Sequence, residues 1–514
     1  MLLAPLIALT MGAAPPRETR LVATLPASLS QHVEGRLLVF AERVTAANAD
    51  PDRVDTDVDN EDVAVAARDV SEPAASGGIV IDLEELSFPK DFAITASGKY
   101  RVQVVLDRDG NYAYAGRGPG DIVSKVFTLS FPLASVPEVA LDRTLPPESD
   151  QFDTTGFPQA AVDQIAASRP HMHDERIASR ALKAFRGTPQ SVSAWVLTPP
   201  GYDQRSARTY PTVYTANGFG TNHKSNGQQL SRIWHLMETG AIPPMIWVSL
   251  DYATRTGTTE FADSLNNGPW GQALVTDVIP ALERRYRMDA RPSGRFLTGH
   301  SSGGWFALWT MVTHPKMFGG AWASAPDPVD FRDFLGVDLY APGANLYRDA
   351  QTASRPMERA GGEVLTTIER SARLETVLGR SGGQLRSFEW VFSPHGADGA
   401  PVPLFDRATG DVDPTVASYW RDHYDIGHRI ERDWPRLKRD LYGKIHVAVG
   451  TLDSFYLDGA VHRLQAAFRQ VGGHAEFTFV PGASHSLNEV YTRNGDRTAL
   501  WKEMTRAMYR IARR

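Results

Sequence analysis

Cysteine is absent from all 514 residues. Its absence excludes disulfides, zinc–thiolate sites and a cysteine nucleophile, and it leaves the compartment open. Long apolar runs are also missing. No segment beyond the N-terminal stretch approaches the ~18 uninterrupted apolar residues that a transmembrane helix requires. Nor is there a basic excess. Lys and Arg number 54 against 60 Asp and Glu, a formal net charge of −6, which argues against a nucleic-acid partner. What is present is an ordinary globular composition, 42% hydrophobic and 22% charged, sufficient for a large core. The length favours two or three domains.

The chain opens with Met1-Leu2-Leu3-Ala4-Pro5-Leu6-Ile7-Ala8-Leu9, an apolar run that ends in small residues by Ala14. It reads as a signal-peptide core over 1–16 that lacks its basic leader, so export to the periplasm or beyond is the expectation. Residues 17–145 then carry short β-branched runs: Arg20–Leu25, Arg36–Ala41, Gly78–Asp82 and Tyr100–Leu106. Turn-rich segments separate them, with Asp109-Gly110-Asn111 a hairpin signal. This spacing predicts an all-β, immunoglobulin-like sandwich. Asp55, Asp57 and Asp59 have the spacing of a calcium loop. Asn60 stands where that loop needs glycine and Ala66 where it needs glutamate, so a solvated acidic loop is the better reading. Residues 146–176 read as a linker. Its His171-Met172-His173-Asp174-Glu175 run offers metal-ligand types without a further ligand cluster, and is read as a surface run.

From about Ile177 the pattern changes to alternating strands and helices. Ser191–Thr198, Pro211–Ala216 and Met245–Leu250 read as strands, and Gly271–Tyr286 as an amphipathic helix. Such alternation builds a mostly parallel sheet with helices on both faces and ligands at the strand C-termini. Phe296-Leu297-Thr298-Gly299-His300-Ser301-Ser302-Gly303-Gly304-Trp305 is a buried strand, a Gly-x-Ser-x-Gly turn and an apolar helix start. That is the nucleophile elbow of an α/β-hydrolase, with Ser301 at its tip. A Cβ at either flanking glycine would collide with a neighbouring strand or helix.

A serine hydroxyl needs a base within reach, and the base needs an orienting acid. In this fold they follow in the order Ser, acid, His. Downstream of Ser301, Gly450-Thr451-Leu452-Asp453 follows an apolar strand, and Gly482-Ala483-Ser484-His485 follows the last one. Ser301, Asp453 and His485 are therefore the expected triad. Asp458 lies deeper in its loop, His300 is expected to pack near the elbow, His446 is mid-strand and His462 is on a helix. Two backbone N–H donors must meet the oxyanion. Those of Ser302 and of Phe219, in the Asn217-Gly218-Phe219-Gly220 turn, fit that need. The mechanism calls for no cofactor and no metal.

The elbow, Asn217–Gly220, Phe261–Gly271 and Gly450–Asp453 together resemble the esterase family of α/β-hydrolases whose members include esterase D, feruloyl and enterochelin esterases and the mycolyltransferases. The resemblance covers roughly Ser179 to Arg510. Ser179–Gly187, Asp327–Arg332 and His423–Trp434, with the β-rich N-terminal part, extend it to long bacterial esterase-like proteins. Asn217 departs from the histidine many members carry before the oxyanion glycine, which bears on loop geometry rather than mechanism. The resemblance implies serine-dependent hydrolysis of a small-molecule or glycan-linked carboxylic ester. It also implies a substrate wall with Asn266, Asn267 and Trp270, weighed against a loop folded back under the sheet. Residues 326–439, inserted between two core strands of the 177–514 domain, are long enough to form a lid over Ser301. Two alternatives stand beside this reading: an acyltransferase on the same scaffold, and a non-catalytic carbohydrate- or surface-binding protein.

Overall fold

The computed structural model describes the chain except residues 1–17, 26–32, 46–53, 55–61, 73–77, 109, 111–116, 148–153, 155, 382, 487–495 and 514. The expected signal peptide and most of the acidic loop lie outside the described residues, as do Asp109 and Asn111 of the expected hairpin turn and part of the expected linker 146–176. The rest of that linker is not irregular but forms the helix Gln159–Ser168 and enters the strand Met172–Ser179, whose pairing only the folded chain supplies. The chain divides into two compact units, Met1–Arg108 with Pro119–Leu145, and Pro146–Arg514 with Asp109–Gly118.

The first unit is built of strands, the longest being Val33–Arg43, Val63–Glu72 and Gly98–Asp107. Val33–Arg43 pairs antiparallel with both of the others. Strand Glu138–Thr144 serves two partners. Its first half runs parallel to Arg20–Thr24 and its second half antiparallel to Ile122–Ser124. One strand thus passes between two groups of strands, and Leu21, Leu37, Val39, Ile81, Val102 and Val104 fill a common core. The expected sandwich-like β domain is what forms.

The second unit is organised on an eight-stranded sheet. We number its strands β1 (Met172–Ser179), β2 (Gln190–Leu197), β3 (Thr212–Ala216), β4 (Ile246–Leu250), β5 (Arg295–His300), β6 (Gly320–Ser324), β7 (Ile445–Gly450) and β8 (Glu476–Val480). Their order across the sheet is β1-β2-β4-β3-β5-β6-β7-β8. β2 runs antiparallel to both its neighbours and the remaining pairs are parallel. This is the α/β-hydrolase fold. The central strands read as continuous apolar runs because helices cover both faces of the sheet. Trp195, Trp247 and Phe296 on strands are fully buried, as are Trp305 and Phe306 on the helix after the elbow.

Register decides which loops meet. Ala216 of β3 lies beside Gly299 of β5, His300 of β5 beside Ser324 of β6, and Gly450 of β7 beside Val480 of β8. The turns after β3, β5, β6, β7 and β8 therefore leave one edge of the sheet side by side. Each of the five carries a residue discussed below.

The expected helix over Gly271–Tyr286 forms in three pieces, Trp270–Ala273, a π-helical turn Leu274–Val278 and Ile279–Arg285. Pro280 has no N–H to offer the carbonyl one turn before it, and the wider turn sits just ahead of it.

Residues between β6 and β7 form a hairpin, Pro356–Ala360 with Glu363–Thr367, and helices Ile368–Leu378, Gln384–Phe392, Pro414–Tyr424 and Ile426–Leu441. Aspartates cap the last two. Asp413 accepts from Thr415 N at 2.7 Å and Asp425 from His428 N at 2.8 Å. The insertion shares the core of the sheet unit. Phe392 lies 4.9 Å from Trp305 of the elbow helix, ring centre to ring centre, and 5.2 Å from Trp420. Tyr424 stands 5.7 Å from Trp309. Aromatic side chains bury large areas and add edge-on attraction to it. The segment is anchored through the floor of the site. No helix among the described residues is long and apolar enough to cross a membrane.

Phe392 is 1% exposed and touches five aromatic rings. Phe392→Ala is expected to destabilise the protein by about 3–5 kcal/mol. Urea unfolding followed by tryptophan fluorescence checks this, and a loss under about 1 kcal/mol would mean that the aromatic cluster does not anchor the insertion.

Candidate active site

The elbow is made by backbone crowding. Ser301 has φ 56° and ψ −124°, a strained conformation for a residue with a side chain. A Cβ on Gly299 would fall well inside 3.0 Å of the Gly303 carbonyl, and one on Gly303 well inside 3.0 Å of the Ala216 carbonyl. Glycine is thus required at both flanking positions. The turn is pinned from outside as well: Ser301 N donates to Ser324 O at 3.0 Å, and Asp327 N donates to Ser301 O at 3.2 Å.

The loop after β3 lies against the elbow. A Cβ on Gly218 would approach the Ser301 Cβ to 3.3 Å. Thr221 Oγ1 donates to Gly218 O at 2.6 Å, and the buried Tyr252 hydroxyl donates to Asn217 O. The Asn217–Gly220 turn is thereby held beside Ser301, with Ser302 at the start of the helix Ser302–Thr313 on the other side.

Asp453 and His485 meet through interlocked loops. Asp453 is fully buried, and its Oδ1 accepts from Phe455 N at 2.9 Å. His485 Nδ1–H donates to Asp453 Oδ2 at 2.9 Å. That contact leaves Nε2 as the basic nitrogen. Leu452 N donates to Ala483 O at 3.0 Å, Thr451 N to Val480 O at 3.0 Å and Gly482 N to Thr451 Oγ1 at 2.9 Å. Gly450 is crowded against the Ala483 and Ser484 carbonyls, leaving no room for a Cβ. Phe455 presents its ring edge-on to His485, centroids 4.9 Å apart. From the insertion, Arg359 Nε donates to Asp453 O at 3.0 Å and Arg359 N to Ser454 O at 2.9 Å, so the hairpin steadies the acid's main chain.

The Ser301 hydroxyl donates to Asp327 Oδ1 at 3.2 Å, and Ser302 Oγ donates to Asp327 Oδ2 at 2.6 Å. Asp327 is buried, and burial pushes its carboxyl up to about 6. Behind it Glu260 is fully buried, and burial together with the Asp327 charge pushes it well above the usual carboxylate range. Neither acid was singled out as a site residue from sequence, although Asp327 stands in the run that carried part of the resemblance. The signal was positional: Asp327 is the first charged residue past β6, on the edge where the other turns converge.

The remaining residues named from sequence have separate places. His300 packs against His485, ring centroids 4.5 Å apart, and shares a 2.8 Å hydrogen bond with Ser324 Oγ. Burial, with the His485 charge, pushes it down to about 3, so it is neutral. His446 stacks on Trp322 and bonds Glu476 at 2.9 Å, while its Nε2 is buried with no partner. His462 stacks on Phe479, and Asp458 faces Arg359. Asn266 and Asn267 are buried. Asn266 donates to Ser393 O at 2.9 Å and bonds His395, while Asn267 Oδ1 accepts from Thr256 at 2.8 Å. Trp270 Nε1 donates to Asn267 O at 3.1 Å, and its ring packs edge-on against Phe261. Asn266 ties the 256–270 loop to the insertion, and Asn267 and Trp270 tie the loop to itself. The His171–Glu175 run is divided among Trp234, Thr198 and Tyr286. No cluster fit to hold a metal ion occurs among the described residues.

An eight-stranded sheet of this order, with a strained serine turn at the end of β5 and an Asp–His pair at the ends of β7 and β8, defines an α/β-hydrolase. Residues 187–503 match the family model described as Putative esterase, and the chain belongs to that family; it is a carboxylic ester hydrolase. Among solved structures it is similar to a ferulic acid esterase from Anaeromyces mucronatus at 16% identity, covering 66% of this chain and 89% of that one with a TM-score of 0.33. It is also similar to an S-formylglutathione hydrolase from Agrobacterium tumefaciens at 16% identity, with 67% and 96% covered and a TM-score of 0.37. A third is the fluorophosphonate-binding serine hydrolase FphF of Staphylococcus aureus, at 9% identity, 66% and 98% covered and a TM-score of 0.37. No curated protein matches.

Because Gly450 is crowded by backbone rather than by a movable side chain, Gly450→Ala must displace the loop that carries His485. Its kcat on an ester substrate is expected to fall about 10–100-fold, with a much smaller change in KM. Steady-state kinetics on the folded variant checks this, and an unchanged kcat would mean that the loop contact does not set the position of His485.

Proposed function

We propose that this carboxylic ester hydrolase works through an acyl-enzyme, with Ser301 as nucleophile, His485 as base and Asp453 as the acid that orients it. The observation that carries the reading is the 2.9 Å His485–Asp453 hydrogen bond on the same sheet edge as the strained Ser301 turn. Ser301 Oγ turns from Asp327 toward His485 Nε2 and attacks the ester carbonyl carbon. The hydroxyl proton passes to Nε2 as the C–O bond forms, and the carbonyl π pair moves onto oxygen. The N–H groups of Phe219 and Ser302 meet that oxyanion. Collapse expels the alcohol oxygen, which takes the proton from His485. Water then attacks the acyl carbon, giving its proton to His485. The C–Oγ bond breaks, and Oγ recovers a proton as the acid leaves. Asp453 stabilises the imidazolium in both halves and stays ionised.

A cavity of ≈ 10 Å³, lined by Asp327, Leu335, Met357, Phe388, Phe455 and Leu457 among others, adjoins the site. Asp327 touches Ser301 and Phe455 touches His485, so this closed space supports a short acyl group. It has room for about one water. The insertion between β6 and β7 closes this side, which supports a role in selecting the acyl group. The apolar 1–14 stretch supports export.

p-Nitrophenyl esters from acetate to palmitate test the reading. Acetate is expected to turn over faster than palmitate by at least about tenfold in kcat/KM. Ser301→Ala should abolish turnover and fluorophosphonate labelling, and His485→Ala should reduce turnover by about 10³-fold or more. Labelling that persists in Ser301→Ala would remove Ser301 as nucleophile. A wild-type product released as a new ester with an added alcohol, rather than as free acid, would make the chain an acyltransferase.

A further inference from the structure

The catalytic cycle above leaves one carboxyl at the nucleophile without a role. Asp327 is 2% exposed, and its two oxygens face the two elbow hydroxyls at 3.2 and 2.6 Å. No Lys or Arg forms an ion pair with it among the described residues; the groups that favour its charge are the Ser301 and Ser302 hydroxyls and protonated His485. Asp453 and Glu260 oppose that charge. Glu260 sits beyond Ser302. Its Oε1 accepts from Thr258 Oγ1 at 2.9 Å and its Oε2 lacks a hydrogen-bond partner. Burial, with the Glu260 and Asp327 charges, pushes the Tyr252 hydroxyl well above its usual range. Two buried carboxyls that share a serine neighbour and lack a cation are pushed toward their neutral forms.

The contact between Ser301 and Asp327 must change polarity during the reaction. In the free enzyme Ser301 Oγ carries a proton and donates it. In the acyl-enzyme Oγ is an ester oxygen and has none. An ionised carboxylate held there would set its lone pairs against those of Oγ. A protonated carboxyl donates to Oγ instead, and a hydrogen bond to the departing oxygen eases rupture of the C–Oγ bond. Ser302 can serve either state, because its hydroxyl both donates and accepts.

We propose that Asp327 is a further catalytic residue, a buried carboxylic acid that accepts the Ser301 hydroxyl in the free enzyme and donates a hydrogen bond to the same oxygen in the acyl-enzyme. Glu260 is the positioning residue behind it, keeping a second unscreened acid across Ser302. This rests on Ser301 as the nucleophile. Asp327 supplies no proton to products: the covalent cycle balances through His485 as written above. Burial already holds the carboxyl at about 6 in the free enzyme, and an acylated Oγ facing it as acceptor moves it further up. The sign follows: the help Asp327 gives to deacylation is present below the raised value of the acyl-enzyme and is lost as pH rises through it.

The experiment uses the full chain and p-nitrophenyl acetate. The pre-steady-state burst reports acylation and the steady state reports deacylation, across about pH 5–9. Asp327→Asn retains an acceptor for the free hydroxyl and an N–H donor for the acylated oxygen but cannot ionise. It is expected to remove the alkaline fall in kcat that the wild type shows, a difference of about tenfold at the alkaline end. Asp327→Ala should slow deacylation by about tenfold or more at every pH, while the rate of fluorophosphonate labelling changes far less. A purely structural role would lower Tm, labelling and kcat together without removing a pH limb. An alkaline fall that survives in Asp327→Asn, or wild-type deacylation in Asp327→Ala, would overturn the proposal. If wild-type Ser301 is never labelled, the nucleophile assignment fails first, and that result is distinct from either of these.

Discussion

The site depends on how closely three pieces of backbone approach one another at the end of β5. Gly303 lies against the Ala216 carbonyl, Gly299 against the Gly303 carbonyl, and Gly218 against Ser301. There is no side chain between the elbow and the β3 loop at these points. The serine can therefore be forced into its strained turn, with the β3 loop lying directly against it. The cost of the strained φ at Ser301 is met by the surrounding packing, above all by the helix Ser302–Thr313, buried on nearly every side. The aromatic residues of the insertion complete that burial. The insertion thus packs directly on the helix that follows the elbow.

Four acids show how environment assigns roles to identical chemistry. Asp453 receives backbone N–H groups and the His485 ring. Asp327, buried with hydroxyls as partners, is pushed toward its neutral form, and Glu260 further still. Asp425, in the insertion, is pushed up to about 7 by burial and the Asp330 charge while it caps a helix. The same side chain thus meets backbone N–H groups and an imidazole at one place and only hydroxyls at another, within one site.

Asn266 and Asn267 carry a different lesson. Both are polar residues in a loop next to aromatic rings, which is also the signature of a sugar- or aryl-binding wall. Their amides instead meet groups 11 to 129 positions away in sequence: Thr256 beside them, and Ser393 and His395 in the insertion. A polar side chain binds whatever donors and acceptors the fold delivers to it, and nothing local in the chain encodes which those are.

The sequence by itself determined the elbow, the order Ser301, Asp453, His485 and the alternation of strands and helices. These are short-range properties: a turn that admits only glycine, apolar runs that must be buried, and polar residues placed just past them. It also separated the β-rich first part of the chain from the α/β part through a change in periodicity. Tertiary structure alone decided which loops share an edge, because strand order and register are set by long-range pairing. It decided that Gly450 interlocks the two loops carrying Asp453 and His485, and that the insertion is packed into the core. It also decided that Asp327 and Glu260, 67 residues apart in sequence, stand together behind the nucleophile. A carboxyl's chemistry follows from its burial and partners, and those exist only once the chain has folded.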